Sequence, residues 1–159
     1  MTKLLISLVL LCSIALPLSA NESSKLASQK PQLASELTDY FMAAARVGDT
    51  EVLSQYLDAG FPVNQVNQQS YTALMTAAYA GQYDAVKLLL DYDADTCIQD
   101  KRGNTAIMGA MIKAELRITR LLYSQSCDSS MTNKAGMTLE EFAQYWGQEH
   151  QLIPISIRN

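Results

Sequence analysis

Three cysteines and one histidine have the greatest capacity for chemistry in this 159-residue chain. Cys12 lies in an apolar N-terminal stretch, whereas Cys97 and Cys127 lie in the second half of the chain. In an oxidising compartment the second pair could form a disulfide, and the alternative is two small buried thiols. His150 stands alone near the C-terminus, and we interpret it as a solvated side chain rather than a catalyst.

The rest of the sequence contains no pattern typical of an enzyme. No serine, cysteine or threonine has a recognisable base partner, and no glycine-rich phosphate loop is present. Histidine and cysteine do not cluster with metal-ligand spacing. Asp91, Asp93 and Asp95 alternate along the chain, but they lack the glycine and the terminal glutamate of a calcium loop. The sequence therefore predicts a protein without catalysis, cofactor or metal.

The net charge of the chain indicates which partners are disfavoured, and its length indicates the number of domains. The 12 basic and 16 acidic residues give a formal net charge of −4. This balance argues against nonspecific binding to nucleic acid or to anionic membranes, because both require a basic surface. The length is that of one domain, and the apolar fraction of 48% suits a folded protein. We expect a monomer that binds neither nucleic acid nor membrane once any signal has been removed.

Residues 1–20 have the features of a secretory signal peptide. Lys3 supplies a positive start, residues 4–16 are mainly apolar, and small Ala20 ends an acceptable cleavage site. The apolar run is too short for a comfortable membrane span. We expect cleavage after Ala20, loss of Cys12 with the signal, and export to the periplasm of a bacterium.

The chain after the signal begins with a polar segment. Residues 21–32 contain several serines and a proline, and this composition predicts a flexible linker. A helical pattern follows, with apolar side chains on one face at Leu33, Leu37, Tyr40, Phe41 and Ala44. We expect this first helix to cover the start of the folded domain.

A period of 33 residues runs through the remaining sequence. Turn residues, possible capping threonines, core alanines, helix-ending glycines and core leucines each recur at that interval. The recurring residues are Asn67, Asp100 and Asn133; Thr72, Thr105 and Thr138; Ala44, Ala77, Ala110 and Ala143; Gly48 and Gly81; and Leu57 and Leu90. Such agreement between independent kinds of position indicates an internal structural repeat.

Each unit reads as a turn followed by two helices. In the clearest unit, the hydroxyl of Thr72 can accept an N–H from the first helical turn. Gly81 stands where this short helix must end, since glycine tolerates the left-handed conformation. A second helix follows with an apolar stripe. Ala114 occupies the corresponding position in the next unit, where glycine is expected.

At these residues the chain resembles the ankyrin repeat, whose 33-residue unit is a turn with two antiparallel helices. The segment Thr72-Ala73-Leu74-Met75 departs from the Thr-Pro-Leu-His sequence of that family. The resemblance implies an all-α solenoid over residues 33–147, followed by a C-terminal tail at 148–159. Three repeats would occupy about 33–66, 67–99 and 100–132, and a capping unit would occupy 133–147.

The resemblance also indicates the core. We expect Leu74, Ala77, Val86, Leu89 and Leu90 to be buried in repeat two, and Ile107, Ala110, Leu121 and Leu122 in repeat three. Cys97 and Cys127 would lie in loops that leave the second helices of adjacent repeats, on one side of the stack. A disulfide there would stabilise the fold by about 3–4 kcal/mol on the chain-entropy estimate.

In the resemblance, turn tips and first-helix positions form a concave face that binds partner proteins. The corresponding residues are Gln68, Gln69 and Tyr71; Lys101, Arg102 and Asn104; Lys134 and Met137; and Arg46, Tyr79, Ile112, Lys113 and Tyr145. Tyrosine is enriched at protein interfaces, and Lys101 and Arg102 suggest an acidic patch on the partner.

The predicted function is therefore a noncatalytic periplasmic module that binds another protein. Two alternatives remain open from the sequence. The protein could inhibit an exported toxin or an envelope enzyme, as an immunity factor does. It could also act as a redox or oxidative-stress accessory through Cys97 and Cys127.

Overall fold

The computed structural model of the protein describes residues 20–125 and 127–152. Apart from Ala20, the predicted signal peptide lies outside these residues, and so does the end of the predicted tail, residues 153–159. Within the described residues the elements are α1 (Ala20–Val47), α2 (Thr50–Asp58), α3 (Ala73–Tyr79), α4 (Tyr83–Asp91), α5 (Ala106–Ile112), α6 (Leu116–Tyr123), α7 (Leu139–Tyr145) and a short 3-10 helix (Glu149–Gln151).

The chain divides into two compact units, Met1–Ala34 and Ser35–Asn159. In the first unit the described residues belong to α1, and residues 21–32 are helical even at Pro31. The polar composition predicts a flexible linker for this segment, and the structure differs. Its lysine, leucine, alanine and glutamine residues have good helix propensity, whereas the serines disfavour a helix only weakly.

The second unit is a stack of helix pairs in two layers. Helices α3, α5 and α7 pack side by side in one layer, and α2, α4 and α6 form the other. The end of α1 belongs to the first layer, where the Thr76 hydroxyl of α3 lies 3.7 Å from the Met42 sulfur. The pairs α3–α4 and α5–α6 are repeats two and three. This arrangement confirms the predicted all-α repeat solenoid.

Local signals in the sequence begin and end these helices. Thr72 Oγ1 accepts the backbone N–H of Met75 at 3.1 Å, which is the predicted cap of α3. Thr138 and Glu141 form a reciprocal capping box at the start of α7. After α3, Gly81 has a φ of 75°, and Ala114 has a φ of 58° at the same place after α5. The repeat therefore imposes a left-handed residue even where glycine is missing.

The core lies between the two layers, as the apolar pattern predicts. Seven of the predicted positions are buried: Leu74, Ala77, Val86, Leu89, Ile107, Ala110 and Leu122. Leu90 and Leu121 are only half-buried, because α4 and α6 turn other residues inward. In α6 the most buried apolar residue is Ile118, at 1% exposure, and it was not among the predicted core positions.

Cys97 and Cys127 form a disulfide, with their α-carbons 5.5 Å apart. Of the two alternatives for this pair, the structure contains the bridge rather than the free thiols. It joins the loop after α4 to the loop after α6 and so connects adjacent repeats.

The described part of the tail is ordered against the last repeat. The 3-10 helix packs on α6 and α7, and Leu152 is 9% exposed within the core. None of the described helices combines the length and the apolar character needed to cross a membrane.

Candidate functional site

A groove of about 930 Å³ runs along the face formed by α3 and α5. Helix α3 contributes Met75, Thr76 and Tyr79, and α5 contributes Gly109 and Ile112. Tyr79 is exposed in this groove, whereas Met75 is buried and belongs to the core. The opposite face of each inner helix carries the buried alanines and leucines. Stacking therefore consumes one face of α3 and α5 and leaves the other open.

Two turn tips reach the groove, the first through Tyr71 and the second through Asp100, Arg102 and Asn104. One hydrogen-bond pattern holds these two tips and a third one. Asn67 Oδ1 accepts the backbone N–H groups of Gln69 and Tyr71, each at 3.0 Å. Asp100 Oδ1 accepts those of Arg102 and Asn104, at 2.8 and 2.9 Å. Such bonds fix the turn backbone before any partner arrives, which lowers the ordering cost of binding.

The third tip follows the same pattern and is also bonded to the second. Asn133 Oδ1 accepts the N–H groups of Ala135 and Met137, at 2.9 and 3.1 Å. Its Nδ2 donates to Asn104 Oδ1 at 3.2 Å, and Lys134 N donates to the Arg102 carbonyl at 2.9 Å. Asn104 is thus partly committed to holding neighbouring tips together.

Aromatic side chains give the groove its apolar surface. Tyr71, Tyr79 and Trp146 are 37%, 49% and 44% exposed and all line it. The Lys113 ammonium lies 4.8 Å from the centre of the Tyr79 ring, which is within cation–π distance. The groove therefore presents large half-apolar surfaces beside a positive charge.

Several of the predicted site residues come together in this groove. They are Arg46, Tyr71, Tyr79, Arg102, Asn104, Ile112 and Lys113. The others lie outside its lining: Gln68, Gln69, Lys101, Lys134, Met137 and Tyr145. Tyr145 is 73% exposed and meets the Trp146 ring edge-to-face, with centroids 5.7 Å apart.

Sequence reasoning missed other lining residues, namely Met75, Thr76, Ala80, Asp100, Thr105, Gly109, Glu115 and Trp146. Trp146 had a usable signal, because it occupies the same repeat position as Lys113. Gly109 also gave a usable signal, since an isolated glycine inside a helical pattern often has a packing or functional reason.

The lining offers little for catalysis. It contains no serine, cysteine or histidine. The Thr76 hydroxyl donates to the Thr72 carbonyl at 3.0 Å and so is engaged within its own helix. Across the described residues, no group of three metal-binding side chains assembles. The groove offers aromatic surface, exposed cations and fixed turns, which suit the binding of another molecule.

Stacked helix pairs that share a groove along one layer define a repeat protein of the helical solenoid class. A family model for ankyrin repeats, in three copies, matches residues 41–138, which is more than half of the chain. The protein belongs to the ankyrin repeat family. Members of this family generally mediate protein–protein interaction.

A curated relative carries the same likeness over a shorter stretch. The chain is 46% identical over 57 residues to E3 ubiquitin-protein ligase XB3 from Oryza sativa subsp. japonica. The match covers 36% of this chain and 13% of the relative. It therefore spans a small part of the ligase.

Proposed function

We propose that the protein is an exported, noncatalytic binding module that holds a partner protein in the groove between α3, α5 and the turn tips. The observation that carries this proposal is the set of exposed aromatic residues in the groove. Tyr71, Tyr79 and Trp146 keep 37%, 49% and 44% of their surface exposed in the stacked array. Aromatic residues in preformed recesses are the usual anchors of protein interfaces.

Two independent features of the chain support export. Residues 1–20 carry the positive start, apolar run and small cleavage residue of a secretory signal. The Cys97–Cys127 bridge supports the same proposal, because disulfides persist mainly in oxidising compartments such as the periplasm. Intact-mass analysis of periplasmic protein should give a chain that begins at Asn21, and a full-length cytoplasmic product would contradict export.

The binding test compares tyrosines inside and outside the groove. The mature chain serves as bait in periplasmic extract, and retained proteins are identified by mass spectrometry. A double variant, Tyr71→Ala with Tyr79→Ala, removes two groove anchors. The matched control is Tyr123→Ala, since Tyr123 at the end of α6 is 40% exposed but lies outside the groove lining.

We expect the double variant to bind the retained partner more weakly by about 2 kcal/mol or more, in the hot-spot range. The control should bind as the unchanged chain does, and both should unfold near the original midpoint. Unchanged capture by the double variant would place the partner elsewhere. A large fall in its unfolding midpoint would assign the two tyrosines to the scaffold instead.

A further inference from the structure

Gly109 lies in the middle of α5, on the side that lines the groove. Thr105 precedes it by about one helical turn and Ile112 follows by another, so the three share a face. Its backbone is helical and lacks the positive φ seen at six other glycines. The conformation of the chain therefore gives no reason for glycine at this position.

Packing gives no reason either. A Cβ built on Gly109 would meet only Tyr79, whose Cβ and Cδ2 would lie 3.9 Å away in ordinary van der Waals contact. The contrast is Gly103, where an added Cβ would come within 2.7 Å of the Lys134 backbone nitrogen. The fold can accept alanine at 109 but not at 103. Alanine would also be the better helix former.

The other inner helices carry side chains at this repeat position, where Ala43, Thr76 and Phe142 stand. Helix α5 alone has none. The consequence is an uncovered stretch of helix backbone in the groove, with Tyr79 on one side and Ile112 on the next turn. We call this space over Gly109 the gap. Apolar surface borders it, so it suits an apolar side chain.

The charges around the gap favour an acidic occupant. Arg46, Arg102 and Lys113 are exposed lining residues, against two lining carboxylates, Asp100 and Glu115. Asp100 already accepts two backbone N–H groups within its own turn. The groove therefore carries an excess of positive charge, although the whole chain has a net charge of −4.

We propose that the groove binds an acidic peptide segment of the partner and takes one large apolar side chain into the gap over Gly109. Acidic residues on either side of that side chain contact Arg46, Arg102 and Lys113. The proposal rests on the binding function proposed above and specifies the chemistry of the partner. It also explains why a less stable helix residue occupies the groove.

Three synthetic peptides of equal length serve as probes. One has a central phenylalanine flanked by glutamates, the second replaces the flanking glutamates with lysines, and the third replaces the phenylalanine with alanine. Binding to the mature chain is followed by NMR amide shifts. The phenylalanine–glutamate probe should shift the Gly109 and Lys113 amides and should bind at least tenfold more tightly than either other probe. Equal affinity for the lysine-flanked probe would overturn the proposal.

Two variants close the gap in steps. Gly109→Ala should raise the unfolding midpoint, because alanine is the better helix former. It should also lower the affinity for the phenylalanine–glutamate probe by about tenfold, the scale of one methyl group in an apolar pocket. Gly109→Leu should abolish its binding. Gln55→Ala changes an exposed residue of α2. It controls for improved helix propensity and should leave probe binding unchanged.

Gly109→Ala that binds this probe as tightly as the unchanged chain would overturn the proposal even if Gly109→Leu failed to fold. The two proposals remain distinguishable. The tyrosine double variant could lose the captured partner while substitutions at Gly109 leave the binding of every probe unchanged. That result would support the proposed binding function and contradict the acidic-peptide proposal.

Discussion

Repeats two and three are copies of one unit, yet they follow its rules to different degrees. In repeat two, Thr72 caps α3 with a side-chain hydrogen bond and Gly81 ends it. In repeat three, Thr105 makes no such bond, and Ala114 adopts the left-handed conformation without being glycine. Repeat three also has glycine inside its first helix, at Gly109.

The core of repeat three contains a further defect. Thr119 is completely buried in α6, and its hydroxyl has no hydrogen-bond partner among the described residues. Bonds to the neighbouring repeat hold this repeat in the stack. The disulfide joins it to repeat two, and Gln99 Nε2 donates to the carbonyls of Gly103 and Thr132 at 2.7 and 2.9 Å. The comparison teaches that a repeat can depart from its pattern in its caps and core and still keep its place in the stack.

The largest expected effect comes from removing the cross-link between the two repeats. Replacing both cysteines, Cys97→Ser with Cys127→Ser, should lower the free energy of unfolding by about 3–4 kcal/mol. Urea unfolding followed by circular dichroism measures the loss. Reductant should destabilise the unchanged chain by a similar amount and have no effect on the double variant. If the double variant were as stable as the oxidised chain, the disulfide would not stabilise repeat three.

The buried hydroxyl should give the next effect, with the opposite sign. Thr119→Val keeps the shape and removes the unpaired group, so the free energy of unfolding should rise by about 1–2 kcal/mol. A comparable change in repeat two, at a different repeat position, is Thr76→Val. It deletes a hydrogen bond that is made and should give no gain. If both substitutions changed thermal stability equally, the buried hydroxyl of Thr119 would not be a defect specific to repeat three.

A smaller effect should come from the two helix ends. Ala114→Gly relieves a left-handed alanine but adds freedom to the unfolded chain, for a net gain of about 0.5–1 kcal/mol. Gly81→Ala should be destabilising, because its Cβ would lie 2.6 Å from the Glu115 carboxylate as well as at positive φ. Opposite shifts in the unfolding midpoint would support the comparison, and shifts of the same sign would contradict it.

The smallest expected effect is a pH dependence at α7, the helix that follows repeat three. The backbone N–H and the hydroxyl of Thr138 hold the pKa of Glu141 below its usual value. A lowered folded-state pKa stabilises the fold above the pKa of the unfolded chain, and the contribution is lost as pH falls through the folded-state value. Glu141→Gln should thus be less stable than the unchanged chain at pH 7, with the difference shrinking below about pH 4.3. Thermal unfolding across this range checks it, and a constant difference would contradict it.

The sequence predicted the repeat unit well, because its period depends on local requirements. Thr72 and Gly81 identify a helix start and a helix end through short-range backbone chemistry. The buried alanines follow from helical spacing. These features need no knowledge of neighbouring repeats, so a single copy suggests them and the 33-residue interval strengthens them.

The groove was predicted less completely, because its lining depends on how neighbouring helices meet. Repeat phase favoured Tyr145, which matches Tyr79 and Ile112, but the groove is lined by Trp146 instead. The Trp146 ring also lies 6.1 Å from that of Phe142, a residue buried in the core. Helix α7 belongs to the last unit, where the environment differs from that of the inner repeats.

The burial of Leu152 in the tail was missed for a related reason. Leu152 enters the core, yet no periodic pattern surrounds it in the sequence. One apolar residue after a 3-10 turn gives too little signal to predict burial.

The disulfide also bears on how the array opens. Each unit of a repeat protein is held only by its neighbours, so helices can detach one by one from a free end. The bridge connects the loop after α4 to the loop after α6, and α6 therefore stays tethered to repeat two even when its packing is lost. Local opening of repeat three is therefore brief, because the tethered helix packs again quickly. In hydrogen-exchange experiments, amides of α6 should exchange more slowly in the oxidised protein than in the reduced one.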